Sequence, residues 1–189
     1  MFLSLIVLIA AAGCDLLQTR EPKQPSSSGS TFVPPTSADI VISNLQAAIR
    51  EKNKENYLRC LVDTNFSARA FQFQPTTEAA ARYATVFNNW TEASEELYFK
   101  NLSESRPTGF SQLDFFNPVF TQRPPDEVLF EAKYHLIFQH QNSSIPQEGR
   151  GNLQFSLVLD RRSIWSIYRW IDSRDTSEIT WSDFKGTFR

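Results

Sequence analysis

Beyond Ser37, apolar positions step by three and four in the first half of the chain and by two in the second half. Ile40, Val41, Leu45, Ala48 and Ile49 line one face of a helix over Ala38–Lys52, with Ser37 or Asp39 placed as caps. Tyr57, Leu58 and Leu61 predict a second short helix over Asn53–Val62. Phe71 and Phe73 fall on one side of a short strand, Ala70–Gln74, that Pro75 ends. From Thr77 to Leu102, Ala80, Tyr83, Phe87, Trp90, Leu97 and Tyr98 keep the helical step. Asn89-x-x-Glu92 has the form of a capping box, so the region is expected to break near Asn88 into two helices.

After Arg106 the period becomes two. Val128, Phe130, Ala132, Tyr134, Leu136 and Phe138 alternate with a more polar set and predict a long half-buried strand. Leu153, Phe155, Leu157 and Leu159 predict another, and Ile164–Asp172 returns as its partner after a turn at Asp160–Ser163. Phe110–Thr121 is a poorer strand candidate because Pro118 interrupts it, and Trp181–Phe188 adds a short final segment. Helices followed by long antiparallel strands give an α+β domain with helices on one sheet face.

The first 36 residues obey neither period. Leu3–Ala12 is apolar apart from Ser4, and Ala10 to Gly13 are small residues ahead of Cys14. An apolar run of about 12 residues rises only about 18 Å as a helix, short of the roughly 30 Å hydrocarbon core, so it is not a permanent span. Ala11-Ala12-Gly13-Cys14 resembles the lipobox of bacterial lipoproteins. That resemblance implies a signal peptide over residues 1–13 and lipidation of Cys14. It implies a membrane anchor there, in the cell envelope, with the rest of the chain outside the cytoplasm. Pro22, Pro25, Ser26–Ser28, Gly29, Ser30, Pro34 and Pro35 then give a composition that buries too little apolar area to offset its ordering entropy. Residues 14–36 are therefore expected to be a lipidated cysteine and disordered tether, with Phe32 and Val33 available to dock on the edge of a single domain at 37–189.

Composition adds three constraints. The chain is 41% hydrophobic with 16 Phe, 4 Trp and 5 Tyr, enough for a large aromatic core. A net charge of −2, with 19 basic against 21 acidic residues, leaves no field to recruit nucleic acid. With Cys14 acylated, Cys60 has no partner, and its setting beside Tyr57, Leu58 and Leu61 suits a buried structural thiol.

The order helix, helix, short strand, helix, meander, with aromatic strand pairs such as Ile164-Trp165-Ser166-Ile167-Tyr168, is similar to the nuclear transport factor 2-like (cystatin-like) family over about residues 38–175. The likeness implies a curved sheet wrapped around helices as a cone with a concave pocket. It does not fix function, because the family holds enzymes, small-molecule binders and partner-binding modules.

No metal-binding, phosphate-binding or dinucleotide motif is present, so no metal and no cofactor is expected. His135 and His140 differ by five positions, so on a regular strand they face opposite sides, with His140 near the pocket mouth. Steroid-isomerase-like members use a pocket carboxylate with a tyrosine donor. Asp172, Asp114 and Glu131 are available with Tyr134 and Tyr168, but Glu131 lies on the polar register and Asp172 at a solvated strand end. No catalytic residue is assigned. The aromatic set Trp90, Tyr134, His140, Trp165, Tyr168 and Trp170 is the candidate pocket or partner surface, with Trp165 and Trp170 expected on opposite sheet faces. The sequence thus points to a non-catalytic envelope lipoprotein that binds a partner protein or a small apolar ligand. The alternative is a periplasmic enzyme using a pocket carboxylate with a tyrosine donor.

Overall fold

The computed structural model describes residues 31–189. The signal peptide, Cys14 and most of the tether expected from the sequence lie outside them. Ten elements follow in order: α1 Ala38–Glu51, α2 Lys54–Leu58, β1 Gln72–Gln74, α3 Thr77–Arg82, α4 Glu92–Ser105, β2 Ser111–Arg123, β3 Glu127–Phe138, β4 Glu148–Leu159, β5 Trp165–Ser173 and α5 Trp181–Phe188. The strands form one five-stranded sheet in the order β1-β5-β4-β3-β2. β1 runs parallel to β5 and every other pair is antiparallel. The architecture is the α+β arrangement that the change of period predicts.

α1 lays Val41, Leu45, Ala48 and Ile49 into the core and packs on β2 and β5. Sheet residues Phe130, Leu136, Phe138, Phe155, Leu157 and Trp170 complete that core with Phe99 and Leu102 of α4. α2 is shorter than its periodicity suggests. The backbone of Cys60 and Val62 is captured by β5, where Cys60 O accepts from Ile167 N at 2.9 Å and Val62 N donates to Ile167 O at 2.9 Å. Tertiary hydrogen bonds win over local helical preference there. The region from Thr77 to Leu102 is two helices, as expected. The second is capped by Thr91 and Ser94 rather than by the Asn89/Glu92 pair.

Two bulges steer the sheet. β2 runs straight through Pro118, because an edge strand can spare an N–H. Its register slips by one residue between Phe116 and Val119, where Asn117 has φ 52°. β5 holds one extra residue, Tyr168, between Ile167 (opposite Leu157) and Arg169 (opposite Ser156). Each bulge inverts the inward/outward alternation beyond it. The poor strand of the sequence reading is therefore a 13-residue strand.

Residues 31–36 lie against the domain, and Phe32 and Val33 dock as the sequence suggested. Val33 N donates to Asn44 Oδ1 at 3.0 Å and Asn44 Nδ2 donates to Val33 O at 2.6 Å. Trp165 N donates to Pro35 O at 2.8 Å. The Arg59 guanidinium lies 3.7 Å from the centre of the Phe32 ring. The final segment is a helix. Thr180 and Asp183 form a capping box, and Arg82 Nη1 reaches Asp183 Oδ1 at 2.6 Å. Trp181, Phe184, Lys185 and Phe188 of α5 are all buried.

Candidate functional site

The concave side of the sheet gathers polar groups from six segments. Glu95 and Tyr98 come from α4, Tyr57 from α2, Trp90 from the α3–α4 connection, Tyr134 from β3, Asp172 from β5, and Trp181, Ser182 and Lys185 from α5. All are buried. Two carboxylates organise them. Glu95 Oε2 accepts from Tyr57 OH at 2.7 Å and Oε1 from Trp90 Nε1 at 2.7 Å, and Lys185 Nζ contacts Oε1 directly. Asp172 Oδ1 accepts from Tyr134 OH at 2.8 Å, and Oδ2 from Ser182 N at 2.7 Å and Ser182 Oγ at 2.5 Å. Tyr134 OH in turn accepts from Trp181 N at 2.7 Å, and Trp181 Nε1 donates to Tyr98 OH at 2.8 Å. Gly151 of β4, opposite Tyr134, keeps this path open: a Cβ there would lie 2.9 Å from Tyr134 OH.

Burial dominates the electrostatics. It pushes the Asp172 carboxyl up, against hydrogen bonds from Ser182 and Tyr134. It pushes the Lys185 ammonium down to about 8, against the charge of Glu95. Tyr57 and Tyr134 are raised by burial and then by their carboxylate neighbours. Aromatic faces enclose the Lys185 nitrogen, which lies 3.6 Å from the Trp170 ring centre and 3.9 Å from that of Phe73.

A pocket base needs a face open to substrate. Asp172 has none, since Tyr134 and Ser182 donate to both of its oxygens. The sequence reading of Asp172 as a solvated strand end is corrected here: α5 folds back over it, leaving it 2% exposed. Asp114 accepts from Gln112 Nε2 at 2.9 and 2.7 Å. Glu131 accepts from Gln154 Nε2 at 2.9 Å on the outer face.

Two hollows open elsewhere among the described residues. One, of about 370 Å3, lies on the outer sheet face and is lined by Asn117, Val119, Glu131, Lys133, Gln154 and Ile171, among others. Phe116 and Val119 of β2 are 50% and 52% exposed. The second, of about 410 Å3, lies between the 32–35 segment, α2 and the β4–β5 turn, with Phe32, Pro35, Leu58, Arg59, Glu92 and Arg162 on its walls. Among the described residues no group of three His, Cys, Asp or Glu is placed to hold a metal, and no helix is long and apolar enough to cross a membrane.

Of the aromatic set, the structure brings Trp90, Tyr134 and Trp170 together around α5. His140 packs against α5 from another side, 5.8 and 5.0 Å from the ring centres of Phe184 and Phe188. Trp165 sits at the other end of β5, where its backbone N–H holds Pro35. Tyr168 donates to Glu127 Oε2 at 2.9 Å, with the Arg69 guanidinium 4.8 Å from its ring centre. The expectation that Trp165 and Trp170 face opposite ways is corrected. They pair with Leu159 and Phe155, an even number of residues apart on β4, because the Tyr168 bulge flips the register. Neither presents a bare indole as a partner surface, since Trp170 is fully buried and Trp165 packs on the core. Cys60 is buried with Sγ 3.3 Å from Asn56 O, and burial pushes its thiol up.

Sequence reasoning passed over Glu95, Trp181, Ser182 and Lys185. The signal was present in the last of these: Trp181, Phe184, Lys185 and Phe188 recur at helical spacing behind Thr180-x-x-Asp183, and a lysine on an apolar helix face needs a buried partner.

No family model and no curated protein matches the sequence. Solved structures do match. A nuclear transport factor 2-like superfamily protein from Salmonella enterica aligns at TM-score 0.53 and 11% identity, covering 73% of this chain and 88% of that one. An NTF2-like protein of unknown function in nutrient uptake from Rhodospirillum rubrum aligns at 0.51 and 11%, covering 74% and 98%. The beta subunit of the benzoate 1,2-dioxygenase from Burkholderia mallei aligns at 0.51 and 9%, covering 72% and 87%. The chain therefore has the nuclear transport factor 2-like, cystatin-like cone fold. At these identities the likeness carries the fold and leaves activity to the site.

Proposed function

We propose that this is a non-catalytic cell-envelope lipoprotein, moored by lipid at Cys14, whose domain binds a partner protein rather than turning over a substrate. The observation that carries this reading is the filled cone. α5 lies on the concave side and satisfies Asp172, Tyr134 and Glu95 from within the chain, which supports partner binding over a small-molecule pocket. The outer sheet face instead exposes Phe116 and Val119 around a hollow flanked by Glu131 and Lys133. A fold-mate that is a subunit of an oxygenase supports an assembly role for such domains. The enzyme reading would need α5 withdrawn from Asp172.

Two experiments test the two halves. Cys14→Ala is expected to move the protein from the membrane to the soluble fraction and to abolish fatty-acid labelling. Continued membrane retention would refute the anchor. Phe116→Ser with Val119→Ser is expected to lose a protein partner that the wild type captures from envelope extracts by cross-linking. Stability should stay within about 0.5 kcal/mol, as is usual for exposed substitutions. Capture undiminished by the double variant would refute the sheet face.

A further inference from the structure

Lys185 and Glu95 are both wholly buried, lie 90 residues apart, and touch through Nζ and Oε1. A buried ion pair is a poor way to hold two helices, because desolvating both charges offsets most of their attraction. The surroundings suit a different bond. Phe73, Trp90, Tyr98 and Trp170 all place their rings around Nζ, which excludes water. Tyr57 OH and Trp90 Nε1 each donate to one oxygen of the Glu95 carboxyl. Such donors stabilise charge that develops on oxygen when a nucleophile adds to the carboxyl carbon.

We propose that the Lys185 amine and the Glu95 side-chain carboxyl condense into an intramolecular amide that welds α5 to α4. The ammonium first passes a proton to the carboxylate in contact with it, leaving a neutral amine and a carboxylic acid. Nζ then attacks Cδ, forming the C–N bond, while Tyr57 and Trp90 hold the two oxygens. The proton shed by nitrogen goes to one hydroxyl, the C–O bond breaks, and one water departs. No oxidant, metal or co-reactant enters the balance. Burial that brings the amine down to about 8 keeps a nucleophilic fraction available near neutral pH. The fixed contact between two folded helices replaces a bimolecular encounter. The product also removes both buried charges.

The test is a peptide map of the purified full chain, denatured and digested with trypsin. The joined fragment Tyr83–Lys100 plus Asp175–Arg189 is expected, lighter than the sum of the two by one water, with no cleavage after Lys185. Linear Tyr83–Lys100 together with free Gly186–Arg189, persisting after long incubation of the folded protein, would overturn the proposal. Glu95→Ala and Lys185→Arg are each expected to give only linear fragments. A joined fragment surviving in either variant would overturn the assignment to this pair. The map reads covalent connectivity, so the result stands whether or not a variant folds, and independently of any partner or anchor.

Discussion

His140 shows how one side chain ties the meander to α5. Its Nε2 lies 3.2 Å from Pro146 O, while Nδ1 is buried without a hydrogen-bond partner. That leaves room for a neutral ring with its proton on Nε2. Burial lowers its pKa from the usual histidine value, and the Lys52 charge adds to this, against the hydrogen bond that the ring makes to Pro146 O. A histidine whose folded pKa is depressed binds protons more readily when unfolded. The stability it provides is intact above about 6.5 and is lost as pH falls below that. Asp172 runs the other way: its folded pKa is raised, so its share of stability declines as pH rises through the carboxylate range. The urea midpoint is therefore expected to fall between about pH 7.5 and about pH 5, and to fall less in His140→Phe. An identical slope in both proteins would remove His140 as the cause. Neither histidine chemistry nor the burial of Asp172 was legible in the sequence, because both depend on where α5 lands.

At the scale of elements, the regular periods were readable and the irregularities were not. The alternation from Val128 to Phe138 gives β3 directly, and the helical step from Ile40 to Ile49 gives α1. β2 was obscured by Pro118 and by a bulge that changes its inward set from Leu113 and Phe115 to Phe120. The same device in β5 misled the reading of Trp165 and Trp170. A period-two count assumes that no residue is inserted, and a bulge breaks that assumption without a fixed sequence mark. In the segment before α1, the docking that Phe32 and Val33 suggested runs largely through backbone groups of Val33 and Pro35, which the residue types do not reveal. A chain beginning at Ser37 is expected to be less stable than one beginning at Thr31 by about 1–3 kcal/mol, from lost hydrogen bonds and the Phe32–Arg59 contact. Equal thermal midpoints for the two would show that these contacts contribute nothing.

For the whole molecule, the fold class followed from the change of period, and the cone from the order of elements. The candidate site was only half visible. Tyr134, Trp90 and Trp170 could be marked as aromatic residues on apolar registers. Their convergence on Glu95, Asp172 and Lys185 requires a helix more than 80 residues downstream of α4's start to return into the concavity. The spacing behind Thr180-x-x-Asp183 marks the helix, but nothing local says where it returns.

The docked residues before α1 bear on mechanics. With the proposed mooring at Cys14, any tug from the envelope reaches the domain through Val33 and Pro35 before it reaches α1. Those few bonds would peel one after another, like a seam with weak stitches, and pay out about 20 Å of slack from six residues. The strap would thus act as a fuse, sparing the sheet the first jolt.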